Sequence, residues 1–271
     1  MGPTIMILPI QMFDTNGVAT SNDQIAEAVT YAYTNGADIL SNSWGYGSRT
    51  FDYPALTEAL EGAAVFGRNG LGCPVFFSSG NTTPFYPDPS YVRYPARLPF
   101  VFAVGATQMN DIRWGYSCYG PELDIIAPSS DGVTIPVWGL DQMDNLGWNP
   151  TYMTDCPPLA NDVNYDCHFG GTSAACPVVS GTAALLMSKD TTLNFQGYYY
   201  LLRYSAVTDL DWGTITPPNN QYGYGRVDAF RSILSISRGD INNDNVIGSA
   251  IDLTLMVDYI LEAGLLHFQV L

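Results

Sequence analysis

The chain has 271 residues, 46% hydrophobic and 13% charged, and 26 Asp plus Glu against 10 Lys plus Arg give it a net charge of −16. That is enough apolar chain for one sizeable core. The acidic balance argues against a surface that tracks phosphates and against attraction to anionic membranes, and runs such as residues 98–106 are far too short to span a bilayer.

In chain order, residues 4–12 (TIMILPIQM) read as a buried strand that begins almost at once. A domain seldom opens inside a core strand. No Lys or Arg precedes Arg49 to make the basic start of a signal peptide, so the expectation is an N-terminally truncated chain. Residues 21–35 predict a helix: Ser21 caps it, Asp23 lies in its first turn, Ile25, Ala28, Val29 and Ala32 make one apolar stripe, and Gly36 closes it. A strand at 38–43, a helix at 55–67 ending near Gly70, and strands at 74–78, 100–105 and 124–128 follow. Strands alternating with helices at this pitch predict an α/β fold with a mostly parallel sheet. Near-continuous apolar strands such as CPVFF predict burial on both faces.

Residues 129–169 are rich in Asp, Asn, Pro and Gly, and no Lys or Arg occurs between Arg113 and Lys189. This stretch reads as a solvated surface insertion or, alternatively, as the acidic wall of a cleft. Helices are expected from Thr172, at 193–205 and at 227–236. Pro177 is expected close enough to a helix start to be tolerated. The composition changes at Arg238, which divides the chain into a domain at 1–236 and a segment at 237–271. Of five cysteines, Cys156 and Cys167 close a short polar loop suited to a disulfide, whereas Cys73 and Cys176 sit in apolar contexts as buried thiols. Acidity together with that disulfide predicts an extracellular protein.

The segment with most chemical content is Gly170-Gly171-Thr172-Ser173-Ala174-Ala175-Cys176-Pro177, followed by an apolar helix. A serine at a helix N-terminus meets unsatisfied N–H groups and the positive end of the helix dipole, which stabilise negative charge developing near its Oγ. Thr172 or Ser173 could equally be a simple cap. The strand VFFSS ends in Gly80-Asn81, which places a carboxamide donor at the carboxyl edge of the sheet, where α/β sites gather. Asn81-Thr82-Thr83 also matches a glycosylation acceptor.

These residues resemble the subtilisin-like serine proteases. GGTSAACPVVSGTAALL is similar to that family's nucleophile segment, FFSSGN to its oxyanion strand and ADILSNSWG to one wall of its substrate cleft; YPA with VFAVGAT, LDIIAPS and YGYGRVDA recur in the family's order. The resemblance covers residues 4–236. It implies a three-layer subtilisin-like fold and an endopeptidase with Ser173 as nucleophile and Asn81, with the Ser173 N–H, as the oxyanion donors. It further implies that Ser43, Trp44 and Gly45 pair with an extended polypeptide substrate, and that Ser78, Ser79 and Gly80 line the pocket for the residue before the scissile bond. No cofactor is needed for that chemistry.

The family's Asp and His should precede the cleft-wall strand, yet residues 1–40 hold no His and no Asp-Ser/Thr-Gly motif. Asp14-Thr15-Asn16-Gly17 reads as a turn. The two histidines are His168, five residues before Ser173 and on a different element from the family's base, and His267 in the tail. A serine without a base is a poor nucleophile, so this chain alone is expected to be silent. A non-catalytic binding protein on the same fold is the rival reading. An esterase of the α/β-hydrolase type would need G-x-S-x-G, and Ala175 stands where the second Gly belongs.

In the tail, Asp240, Asn242, Asp244 and Val246 place oxygen ligands at alternate positions, with Asp252 one residue later than the usual closing ligand. The segment resembles the first half of a dockerin-type repeat. That implies a Ca²⁺ site and a cohesin-like partner.

Overall fold

The computed structural model describes residues 5–14, 18–132, 137–143, 164–209 and 216–238. Four parallel strands stand side by side in the order β1 (Leu40–Asn42), β2 (Val75–Ser78), β3 (Phe102–Thr107) and β4 (Ile125–Pro128). Leu40 is paired with Val75, Phe76 with Phe102, and Val104 with Ile125. Alternate side chains leave a strand on opposite faces, and both faces are covered. Val75 and Phe77 join a core with Ile25, Val29, Leu56 and Leu60. Phe76 joins a second core with Phe102, Val104, Val179 and Leu186. Burial on both sides is why these strands read as apolar runs without alternation.

Helices α1 (Asn22–Thr34) and α2 (Pro54–Gly70) cover the first face. The α1 N-terminus is a capping box between Ser21 and Gln24, and its buried stripe is Ile25, Ala26, Val29 and Ala32, with Ala26 in the place predicted for Ala28. Pro54 opens α2, where its missing N–H costs nothing. The helix loses its geometry at Gly67, Arg68 and Asn69, and the Arg68 guanidinium donates to the Gly72, Thr191 and Leu193 carbonyls.

Helices α3 (Gly171–Lys189), α4 (Phe195–Tyr204) and α5 (Ala229–Arg238) lie on the other face, with α3 running against all four strands. Arg203 on α4 reaches the buried Asp124 at the entry to β4, and Asp124 also accepts the Ala103 N–H at 2.6 Å. The three-layer α/β arrangement expected from the strand and helix pattern is the observed one. No helix among the described residues is long and apolar enough to cross a membrane.

The expected strand at 4–12 is corrected. Residues 5–12 join no sheet, and Met6 and Ile7 are 93% and 73% exposed. An apolar run becomes a strand only where an edge accepts it. The described sheet ends at β1 without pairing to this segment, and Pro9 lacks one of the N–H groups a ladder needs. The chain instead folds back locally, Phe13 bridging Ala19 and the Asp14 carboxylate accepting the Val18 N–H.

In the acidic stretch, β5 (Gly139–Leu140) and β6 (Tyr165–Asp166) form a small antiparallel pair, and Cys167 is disulfide-bonded. Its predicted partner Cys156 lies outside the described residues. Cys73, Cys118 and Cys176 are free and buried, as expected for the first and last of them.

Candidate active site

Four chain segments converge at the carboxyl edge of the sheet. The exit of β1 carries Ser43, the exit of β2 carries Gly80 and Asn81, the exit of β4 carries Ser129 and Ser130, and α3 begins there with Gly171, Thr172 and Ser173. Asn81 is held by an antiparallel bridge to Ser117, and the next residue's N–H donates to the Tyr116 carbonyl at 2.8 Å.

The start of α3 is clamped from two sides. On one, the Gly171 N–H donates to the Ser130 carbonyl at 2.9 Å and the Ser129 hydroxyl donates to the Gly171 carbonyl at 2.5 Å. On the other, the Asn81 carboxamide oxygen accepts both the N–H and the hydroxyl of Thr172, each at 2.9 Å. Gly171 has φ +71°, and a Cβ there would lie 2.9 Å from Asn81 Nδ2, so glycine is required twice over.

The N-cap residue is Gly170, with no side-chain cap, so neither Thr172 nor Ser173 spends its hydroxyl as a cap. With the Gly171 and Thr172 N–H groups taken, the Ser173 N–H has no acceptor among the described residues. The Asn81 carboxamide thus meets the first turn of α3 at Thr172, the residue before Ser173, while the Ser173 hydroxyl faces Ser43. Asn81 turns its oxygen to Thr172, which leaves the Nδ2 donor group beside the turn that carries Ser173.

Ser43 and Ser173 touch directly, the Ser43 hydroxyl donating to the Ser173 carbonyl at 2.7 Å and the Ser173 hydroxyl to the Ser43 carbonyl at 3.3 Å. Pro177 is corrected from a helix-start position to the interior of α3. It has no N–H for the carbonyl four residues back, which is that of Ser173. Ser43 supplies the missing donor.

Of the expected cleft-wall residues, Ser43 and Gly45 are exposed and Trp44 is half-buried, its indole N–H on Asn42 Oδ1 at 3.1 Å and its ring edge-on to Phe77. The expected pocket residues divide. Gly80 is partly exposed, with φ +108°. Ser78 is nearly buried, and Ser79 is completely so, its hydroxyl on the Cys118 carbonyl, its N–H on the Val104 carbonyl and its carbonyl accepting from Arg93. Ser79 thus has nothing left to offer a ligand, which corrects its predicted lining role.

Below the site, burial pushes the Cys176 thiol and the Tyr116 phenol up to about 12; the thiol donates to the Asn42 carbonyl and the phenol to that of Ser130. His168 Nδ1 lies 2.8 Å from Asp166 Oδ1 within the β6 segment. The calcium-loop residues Asp240, Asn242, Asp244, Val246 and Asp252, with His267, lie outside the described residues; among the described residues no cluster suits a metal.

The sequence reading missed Thr172, Ser130 and Arg93. Thr172 could have been found from the hydroxyl beside Ser173. Arg93 carries no such local signal, since its partners Gly47, Tyr86 and Cys118 come together only in the fold.

The profile of the Subtilase family matches residues 1–225. A calcium-dependent protease of Nostoc sp. is 30% identical over 86% of this chain and 36% of its own length. Bacillopeptidase F of Bacillus subtilis is 32% identical over 74% of this chain and 12% of its own. The chain thus spans about a third or less of these relatives. Among solved structures, the patellamide maturation protease PatA shares the fold with a TM-score of 0.60 at 22% identity, covering 83% of this chain and 72% of that one.

Proposed function

Since the chain belongs to the subtilase family, we propose that it carries the nucleophile and oxyanion site of a serine endopeptidase. The observation that carries this reading is the junction of Asn81 with the first turn of α3, one residue before Ser173. The Ser173 oxygen attacks a peptide carbonyl, the C–N bond breaks with release of the amine, and water later cleaves the acyl ester. Negative charge on the carbonyl oxygen is held by the Ser173 N–H and Asn81 Nδ2. The substrate lies extended along Ser43, Trp44 and Gly45 as an added strand.

A base for Ser173 is not identified among the described residues, so the 271-residue chain alone is expected to bind peptide and turn it over poorly. The loop at residues 240–252 is read as a Ca²⁺ site from the spacing of its oxygen ligands, a reading supported by the calcium-dependent relative. Secretion and a cohesin-like partner for the tail belong to the same proposal.

Binding of a peptide aldehyde, which forms a hemiacetal with the nucleophile, tests the site. Wild type should bind it, and Ser173→Ala should bind it at least about tenfold more weakly. Equal binding by both, or none by wild type, rejects Ser173 as nucleophile.

A further inference from the structure

Resting on that reading of the cleft, we infer that Arg93 sets the specificity of the pocket for the residue before the scissile bond, and that it selects glutamate or aspartate there. On that reading the pocket falls between the strand edge that continues from Ser43 to Gly47 and the exit of β2 at Ser78 and Gly80. Arg93 crosses the gap between them. A Cβ on Gly80 would fall 2.4 Å from Arg93 Cδ and 2.6 Å from Cγ, so the stem lies directly against the Gly80 backbone. The guanidinium reaches over to the Gly47 carbonyl at 2.5 Å. The Tyr86 ring closes the outer side, where a Cβ on Gly47 would strike it at 2.2 Å.

Arg93 is only 5% exposed, yet every acceptor it has is neutral. These are the Gly47 carbonyl, the Tyr91 hydroxyl at 3.1 Å, the Tyr86 carbonyl at 3.0 Å and the Cys118 thiol at 3.3 Å. Burial pushes the Cys118 thiol up, so it carries no charge near neutral pH. No carboxylate among the described residues forms an ion pair with Arg93. Asp88, on the same connection, is exposed and bonded to Ser90. Four bonds to five N–H groups leave one Nη2 hydrogen uncommitted. A buried cation that no carboxylate touches is unfavourable, with Asp88 acting on it only at a distance, and a carboxylate entering between the two edges supplies a direct counter-charge in a desolvated place.

A panel of peptide aldehydes identical except for the aldehyde-bearing residue (Glu, Asp, Gln or Leu) tests this by equilibrium binding. The net charge of −16 repels added negative charge at long range, so preference for an acid can arise only locally. The expected result is that Glu or Asp binds wild type at least about tenfold tighter than Gln. In Arg93→Gln that ratio should fall to within about twofold, and Arg93→Lys should keep part of it. The wild-type comparison stands even if a variant folds badly. If Gln or Leu binds as well as Glu while Ser173→Ala weakens all four, the acid selectivity is refuted and the cleft survives. If no aldehyde binds, the cleft reading fails and this inference fails with it.

Discussion

Ser43 and Ser173 are bonded to each other in both directions, hydroxyl to carbonyl each way, at 2.7 and 3.3 Å. The pair joins the exit of β1 to the first turn of α3 and compensates for Pro177. A proline at this point deprives the Ser173 carbonyl of its helical partner, and the Ser43 hydroxyl replaces it.

Ser43→Ala should therefore cost about 1 kcal/mol, and Pro177→Ala, which restores the helical N–H, should recover much of that in the double variant. Urea denaturation of the two single variants and the double one measures the coupling. Strict additivity would mean that the hydroxyl and the proline are unrelated.

Under the proposed function, Asn81 has two jobs at opposite ends of one amide. Its oxygen anchors Thr172, and its nitrogen is the proposed donor to the oxyanion. Asn81→Asp keeps the acceptor and loses the donor, so its melting temperature should stay near that of wild type. Its binding of the peptide aldehyde, whose hemiacetal oxygen takes that donor, should weaken at least about tenfold. Asn81→Ala should lose both stability and aldehyde binding. Comparing thermal melts with aldehyde binding separates the two roles.

Helix α1 was legible because its ends carry local chemistry, Ser21 and Asp23 at the start and Gly36 at the close, whereas the Gln24 half of the capping box and the Pro54 start of α2 emerged only in the structure. The strands were legible because burial on both faces leaves an unbroken apolar run. Ser173 and Asn81 stood out as candidates because Gly170-Gly171 and Gly80 mark the element ends beside them. The segment at 5–12 misled because its composition is that of a strand, while pairing depends on an edge the sequence does not show. Arg93 was hidden for a similar reason. Its neighbours Gly47, Gly80 and Cys118 are distant along the chain, and only the fold brings them around one guanidinium.

Arg203 ties α4 to the sheet through a buried charge. It donates to Asp124 and lies 3.8 and 4.6 Å from the Tyr199 and Tyr224 ring centres. Arg203→Met leaves Asp124 buried and unpaired, which should cost about 3–5 kcal/mol. Adding Asp124→Asn removes the stranded charge and keeps an acceptor for the Ala103 N–H, so the double variant should be more stable than Arg203→Met alone. Chemical denaturation decides, and a double variant weaker than the single would show that the ion pair is not what Asp124 requires.

Alkaline pH should weaken the packing of α3 on β1 through Cys176. Burial raises this thiol from an ordinary 9.0 to about 12, and Cys73 to about 11. Above pH 9 the unfolded chain releases these protons while the folded chain keeps them. Stability is therefore present in full below pH 9 and declines as pH rises toward the folded values, by up to about 1.4 kcal/mol per pH unit for each thiol. Cys176→Ser keeps a hydroxyl to donate to the Asn42 carbonyl and cannot ionise in this range. Its melting temperature should track that of wild type from pH 7 to 8.5 and then fall less steeply. Tyr116 and Tyr198, both pushed up to about 12, add an alkaline loss that the two proteins share and that cancels in their difference. Curves that stay parallel to pH 10.5 would show that the Cys176 thiol ionises in the folded protein as easily as in the unfolded one.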